Sequence, residues 1–273
     1  MGQGFQIGTL DLRAYCDGLL KTSITYAIGI DQNDAEAMVG GSEAGSIFIP
    51  VNNFLFERDD ATIMIDAGAG KIMQPTLGRL PQELASEGIA PGDVTHILLT
   101  HIHSDHTNGL LNDEGGALYP HAQILIHPDE YDFWMAPNVG GESEKILRQR
   151  HRAQLNLTPY RDQMRFVKEG EEILGCTPLL SPGHTPGHTC WRIDAGREAF
   201  LAWGDLVHFS AIQIERPDVA VTYDLDPDLA RRSRLRFLDM VANERMAVAG
   251  AHVAAPGLGY VTRKGTGYSF EPA

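Results

Sequence analysis

Four side chains able to bind a metal fall within six residues of this chain: His101, His103, Asp105 and His106, in Thr100-His101-Ile102-His103-Ser104-Asp105-His106. The stretch continues Val94–Thr100, a nearly continuous apolar run with Val94, Ile97, Leu98 and Leu99. Such a run reads as a short strand buried on both faces. The fold must therefore deliver a dense polar cluster at the end of a buried strand. In extended backbone His101 and His103 project to the same side, because side chains alternate with period two. Asp105 and His106 come where the chain turns, which lets them face a neighbouring point. Imidazole and carboxylate together suit a borderline cation such as Zn2+. The plain alternative is a solvated loop that happens to be rich in histidine, and its position after a buried strand argues against that.

Three further ligand-type residues recur in strand-end turns. His184 sits in Ser181-Pro182-Gly183-His184-Thr185-Pro186-Gly187-His188-Thr189, where two Pro-Gly pairs fix the backbone and leave the imidazole to point outward. Asp205 follows Trp203-Gly204 after an apolar strand, and His252 follows Ala249-Gly250-Ala251 after a short one. Singly these are weak, since a Gly-Asp after a strand is usually a turn and a lone histidine is usually structural. Together with the first cluster they leave coincidence a poor explanation. Asp66, in Asp66-Ala67-Gly68-Ala69-Gly70, is a candidate partner for the second nitrogen of a ligand histidine. Its plain reading is a turn carboxylate.

The rest of the chain supplies the scaffold. Residues 5–15 alternate in polarity and suit a strand, while residues 29–46, with four glycines among small and acidic residues, read as a long surface loop. Ile47–Phe56 and Thr62–Ile65 read as paired strands about the charged turn Glu57–Asp60. Helices are expected over Pro75–Ser86 with Gly88 beyond its end, over Pro128–Met135 and Ser143–Asn156, and from Pro227 to about Ala242 with Asp226 as its cap. Short strands are expected at Gln123–His127, Arg165–Val167, Pro178–Ser181, His188–Ile193, Ala199–Trp203, Met246–Ala249 and Gly259–Thr262. This alternation implies an α/β sandwich with sheets inside and helices outside. No shift in composition divides it, so 1–273 reads as a single domain. The net charge of −14, from 22 Lys and Arg against 36 Asp and Glu, argues against nucleic acid or an anionic membrane as partner. Cys16, Cys176 and Cys190 are odd in number and scattered, which is no disulfide framework. The first residues carry no leader pattern, and no apolar run approaches the roughly 18 residues of a membrane span. A soluble, cytoplasmic protein is expected.

The set His-x-His-x-Asp-His, His184, Asp205 and His252, with Asp66 in its strand-end turn, resembles the metallo-β-lactamase-fold superfamily of binuclear metallohydrolases. The resemblance runs from Asp66 to His252, nearly the whole chain. It implies a four-layer αβ/βα sandwich with metals at one edge of the two sheets. By the same resemblance, His101, His103 and His184 would hold one metal and Asp105, His106 and His252 the second, with Asp205 bridging both. The metals would be two divalent ions, Zn2+ by default and Mn, Fe or Co with the same ligands. A metal-bridging hydroxide would attack the substrate, with Asp105 and Asp205 as the catalytic carboxylates: Asp205 bridging, Asp105 steering the hydroxide or protonating a leaving group.

Departures from related branches narrow the reading. β-Lactamases of the two-zinc branch commonly place Cys where Asp205 stands, and flavodiiron relatives place Glu where His103 stands. Segments Gly204–His208, Val219–Asp224, Gly250–His252 and Pro256–Gly259 are similar to the methyl parathion hydrolase-like branch, which includes lactonases and organophosphate hydrolases. The expectation is a hydrolase of a small-molecule lactone or ester, with phosphotriesters as a promiscuous class. A glyoxalase II-like thioesterase is the next enzymatic alternative, although that group usually adds a C-terminal helical region. A metal-dependent ligand-binding sensor is the non-enzymatic one. The resemblance is also compatible with a homodimer. Of the remaining histidines, His208 stands between pocket wall and core, and His96, His121, His127, His151 and His188 read as structural. Trp134, Phe54 and Ile212 are candidates for an apolar pocket wall, against the plainer expectation of core. Specificity is expected in the loops 29–46, 134–145 and 206–222.

Overall fold

A computed structural model describes residues 2–137 and 141–273 of the chain. Strands β1 (Gln3–Ile7) and β2 (Leu10–Ser23) form a hairpin. It turns at Gly8, whose φ is +52° and where a Cβ would collide with the Ala195 carbonyl. Residues 5–15 therefore hold two strands rather than one. Next come β3 (Ala27–Ile28), α1 (Gln32–Met38), β4 (Ser46–Arg58), β5 (Ala61–Ile65) and α2 (Leu80–Ser86). They are followed by β6 (His96–Leu98), the single turn α3 (Ser104–Thr107), β7 (Gln123–Ile126), α4 (Pro128–Met135), α5 (Glu144–Leu157) and β8 (Met164–Phe166). The second half contains β9 (Cys176–Leu180), β10 (Thr189–Ala195), β11 (Glu198–Ala202), α6 (Ser210–Gln213) and β12 (Ala220–Val221). It closes with α7 (Pro227–Glu244), β13 (Ala247–Ala249), β14 (Leu258–Lys264) and β15 (Gly267–Pro272).

One sheet has the order β1-β2-β4-β5-β6-β7-β8 and the other β15-β14-β13-β11-β10-β9, while β3 and β12 pair apart from both. Strands β5 to β8 run parallel, which explains why the segment around β6 reads as a nearly continuous apolar run. Alternating side chains then build the layers. Leu12, Phe54, Phe56 and Ile65 of the first sheet meet Trp191, Ile193 and Phe200 of the second in one core between them. From the other face of the first sheet, Leu55, Met64, Ile97 and Ile124 pack with Leu80 and Leu84 of α2, Trp134 of α4, and Ala153 and Leu157 of α5. The outer face of the second sheet sets Cys190, Leu201 and Val248 against Phe237, Leu238 and Val241 of α7. The result is helix, sheet, sheet, helix: the four-layer αβ/βα sandwich. Among the described residues, no helix is long and apolar enough to cross a membrane.

The structure corrects several local expectations. Within 29–46, residues Gln32–Met38 are helical, and the Asp31 side chain accepts from the Asn33 N–H to cap them. Only Ala35 of that helix is fully buried, so no apolar stripe signals it. Helix α2 starts at Leu80 rather than Pro75, since Gly78 before it has φ +84°. Strand β15 lies where no element was expected. Trp134, Phe54 and Ile212, in contrast, take the plainer of their two readings and are core residues.

Candidate metal centre

The centre lies where strand ends of both sheets converge. Beyond β6 come His101 and then His103, which precedes α3, whose single turn carries Asp105 and His106. The N–H groups of His106 and Thr107 both donate to the His103 carbonyl at 3.1 Å, which fixes that turn. His184 lies in the turn between β9 and β10, Asp205 just after β11, and His252 just after β13. Gly204 has φ +50°, and a Cβ there would come within 2.8 Å of the His188 ring and the Thr100 side chain. The loop carrying Asp205 can approach His101 only because residue 204 lacks a side chain. Asn52 of β4 donates to the carbonyls of Gly250 and Val253, at 3.0 and 2.8 Å, and ties the His252 turn to the first sheet.

All seven expected ligand residues come together, and all are buried. Their donor atoms form two overlapping groups, His101–His103–His184–Asp205 and Asp105–His106–Asp205–His252, each with its ligand atoms within 4.8 Å of one another. Asp205 belongs to both. Its Oδ2 is 3.5 Å from His101 Nε2 and 3.3 Å from His184 Nε2. Its Oδ1 is 2.9 Å from His106 Nε2 and 3.1 Å from His252 Nε2. Asp105 Oδ2 stands 3.4 Å from His252 Nε2 and 3.7 Å from His106 Nε2. The two oxygens of one carboxylate are thus divided between two clusters of imidazoles.

The far nitrogens of these rings are held. His106 Nδ1 meets Asp66 Oδ2 at 2.7 Å, and the Thr100 N–H and hydroxyl also donate to Asp66, at 2.8 and 2.9 Å. His184 Nδ1 meets Asp224 Oδ1 at 3.0 Å, and His252 Nδ1 meets the Pro50 carbonyl at 2.7 Å. Asp66 is therefore placed as expected, beside a ligand-type histidine. His188 is structural in a specific sense. Its Nε2 accepts from the Asp205 N–H at 3.0 Å and its Nδ1 meets the Ser181 hydroxyl at 2.7 Å, so it holds the backbone of Asp205. His208 lies at the centre itself, with Nε2 2.9 Å from Asp205 Oδ2.

Burial and the neighbouring charges shift the titrations of the ligand-type rings and of Asp205. Burial opposes a charge on His106, yet Asp205, Asp66 and Asp105 outweigh it and hold the imidazolium well above its ordinary pKa. His184 rises to about 9 and His252 to about 10, again against burial, because Asp205 stands beside each and Asp224 and Asp105 add to it. Asp205 is driven well below the carboxylate range despite burial, by His106 and His252 first among the surrounding rings. His101 and His103 are pushed well down by burial, with His106 and His184 as the nearest repelling rings. Protonated imidazoles here balance buried carboxylates.

Divalent cations fit this arrangement. The Nε2 atoms of His101 and His103 are buried with no hydrogen-bond partner, and His106 Nε2 and Asp205 Oδ1, though 2.9 Å apart, are not aligned to bond one another. Such orphaned polar atoms are costly in a folded interior unless something satisfies them. Imidazole nitrogens and carboxylate oxygens converging in groups of four are the donor set of zinc and its neighbours.

Two holding residues were invisible in the sequence. Glu130 of α4 is fully buried and accepts from Ile102 N–H at 2.9 Å, Trp134 Nε1–H at 2.8 Å and Gly187 N–H at 3.0 Å. It clamps the His101–His106 stretch to the turn that carries His184. Burial pushes its carboxyl up. Asp224 is the second: it fell inside a noted segment, but only the fold shows it beside His184. Arg234 of α7, also buried, donates to the carbonyls of Leu206, Pro217 and Val219 and stands 3.7 Å from Asp224.

The centre floors a cavity of about 630 Å3, walled by Leu20, Tyr26, Ile49, Met73 and Tyr223. Of the expected specificity loops, 206–222 reaches it through His208. In the loop 134–145, residues 138–140 lie outside the described residues.

Residues 47–252 match the sequence profile of the Metallo-beta-lactamase superfamily. The chain belongs to that superfamily and is a metal-dependent hydrolase. A solved structure of the hydrolase AbOPH, in the beta lactamase superfamily, superposes with a TM-score of 0.94 at 29% identity, covering 100% of this chain and 97% of that one. AidC, a dizinc quorum-quenching lactonase solved with the product N-hexnoyl-L-homoserine, superposes with a TM-score of 0.93 at 26% identity over 100% and 97%. The N-acyl homoserine lactonase of Bacillus thuringiensis is 22% identical over 223 residues, 75% of this chain and 81% of its own length. Metallo-beta-lactamase domain-containing protein 1 of Xenopus laevis is 39% identical over 89 residues, which is 31% of this chain and 34% of that protein.

Proposed function

We propose that this chain is a binuclear hydrolase, with zinc as its metal pair, that opens lactones or cleaves related carboxylic esters. The observation that carries the reading is Asp205, whose two oxygens divide between two imidazole clusters at the floor of an open cavity. His101, His103 and His184 would hold one ion, Asp105, His106 and His252 the other, and Asp205 both. The dizinc lactonase AidC, similar over the full length of the chain, supports this. When bound, such a pair supplies Lewis acidity and lowers the pKa of a shared water toward neutrality.

The chain's own groups do the rest. Asp66, Asp224 and the Pro50 carbonyl orient His106, His184 and His252, so that each presents Nε2 to the centre. Hydrolysis adds water across the acyl C–O bond: the carbonyl carbon gains an oxygen, and the departing alkoxide must gain a proton. Asp105, on α3 and lining the cavity, is the carboxyl placed to pass that proton. Leu20, Ile49 and Met73 line the approach and favour an apolar, uncharged substrate. Phosphotriesters share that character and are the secondary substrate class.

The test is turnover of a panel of lactones, aryl esters and phosphotriesters by the zinc-loaded chain. Hydrolysis lost on chelation and restored by metal is the expected result. Two bound ions with no turnover across the panel would overturn the reading, and tight ligand binding alongside would favour the sensor.

A further inference from the structure

Helix α5 presents a stripe of polar side chains to the segment that carries the centre. Gln149, Arg152 and Asn156 stand at i, i+3 and i+7, so they share one face of the helix. The protein itself meets two of the three. Asn156 Nδ2 donates to the Thr107 hydroxyl and to Asn108 Oδ1, at 3.0 Å each. Arg152 Nε donates to the same Asn108 oxygen at 2.8 Å. Gln149, a turn further back, is different: its Oε1 is buried with no hydrogen-bond partner among the described residues. Its side chain lines the cavity of about 630 Å3. Four residues before Asn108, Ser104 lines the same cavity, and it stands between His103 and Asp105. The end of the stripe thus brings a carboxamide and a hydroxyl to the wall beside the centre. Leu20, Ile49 and Met73 make other parts of that wall apolar. A polar group set among apolar ones is what orients a ligand in such a site. A buried carbonyl oxygen without a donor is costly, and a bound molecule that supplies the donor removes the cost.

We propose that Gln149 is a specificity-determining residue, whose Oε1 accepts a hydrogen bond from an uncharged N–H or O–H group that the substrate carries near its reacting carbonyl. A site built this way rejects an analogue that lacks the donor, because its own buried oxygen is then left unpaired. The proposal rests on the hydrolase reading above, whereas its test needs no turnover. The probes are two pairs of carboxylates with no ester to cleave: 3-hydroxyoctanoate against 3-methoxyoctanoate, and 3-acetamidooctanoate against its N-methyl counterpart. Each is titrated calorimetrically into the zinc-loaded chain. The wild type should prefer the donor-bearing member of at least one pair by about threefold or more, and which pair does so tells O–H from N–H. In Gln149→Met, of similar length and without an acceptor, that preference should fall below threefold, while the methylated compounds bind as in the wild type. Gln149→Glu keeps an acceptor at the same reach and should keep the preference. A wild type that prefers neither donor by threefold, or binds none of the four compounds, would overturn the assignment. So would a preference that survives in Gln149→Met or is lost equally in Gln149→Glu. A parallel fall for both members of the pair in Gln149→Met would also overturn it, by showing that Gln149 acts only through the fold. Failure of the hydrolase reading looks different: no lactone or ester is turned over, and the donor preference stays intact.

Discussion

Replacing Asp66 by Asn changes the two hydrogen bonds made at its Oδ2, with His106 Nδ1 and with the Thr100 hydroxyl, and keeps the one at Oδ1. The Asp66 carboxylate accepts from the Thr100 N–H and hydroxyl and faces His106 Nδ1 at 2.7 Å. A carboxylate can only accept, so His106 Nδ1 carries hydrogen, and a neutral ring presents the Nε2 lone pair to the centre. An amide reverses this. With its oxygen engaged by the Thr100 N–H, its NH2 faces Nδ1, and the hydrogen of the ring moves to Nε2, where it blocks coordination. The backbone tolerates the change, because Asp66 has φ +56° and asparagine is at home in the left-handed region. Loss of such an orienting partner costs about 10–100-fold in metal affinity, or about 1.4–2.8 kcal/mol. Zinc titration against a competing chromophoric chelator resolves the stepwise constants. One constant should fall by that factor and the other hold within about threefold, with the melting temperature of the metal-free protein little changed. Two unchanged constants would refute the tautomer argument. A parallel fall in both constants, together with a lower melting temperature, would show that Asp66 acts only through the fold.

Other substitutions probe the clamp and the bridge. Glu130→Gln sets an amide NH2 against one of the N–H donors that Glu130 now accepts, and should cost about 1–3 kcal/mol in denaturant unfolding of the metal-free chain; an unchanged midpoint would count against the clamp. Asp205→Asn weakens the one group shared by both clusters, so tight binding should drop to a single ion by mass spectrometry of the native protein. Turnover should fall by more than about 100-fold, beyond what an outer partner accounts for. The pH dependence has a defined sign. His184 near 9 and His252 near 10 lie above the ordinary histidine value of 6.5, so their protonation stabilises the metal-free fold fully below that value. That contribution is lost as pH rises through 9 and 10. The melting temperature of the metal-free chain should therefore drop from pH 6.5 to 10 more than that of the zinc-loaded chain, where cations replace those protons; equal slopes would contradict this.

The candidate ligand set was legible because its signals are local. His101, His103, Asp105 and His106 crowd one turn after an apolar strand, and each remaining ligand follows a strand as well. The buried strands were legible for the same reason: β6 and β7 are apolar on both faces. What escaped was whatever depends on elements distant in sequence. Glu130 reads as an ordinary helix glutamate until α4 packs it under Ile102 and Gly187. His188 reads as the start of a strand, and its second role appears only when the Asp205 loop folds over it. Helix α1 escaped because one buried alanine leaves no stripe to detect. Trp134 took the plainer of its two readings. Helix α4 turns it into the core, as its size and apolarity favoured, and its ring packs edge-on to His103 with centroids 5.5 Å apart.

The central claim is that Asp205 joins two cations into one hydrolytic centre. The direct measurement is a zinc titration of the metal-stripped chain, with bound ions and lactone hydrolysis followed in the same samples. Turnover should stay low through the first equivalent, climb with the second and level off at two. Full turnover at one equivalent, or turnover that survives removal of both, would contradict it.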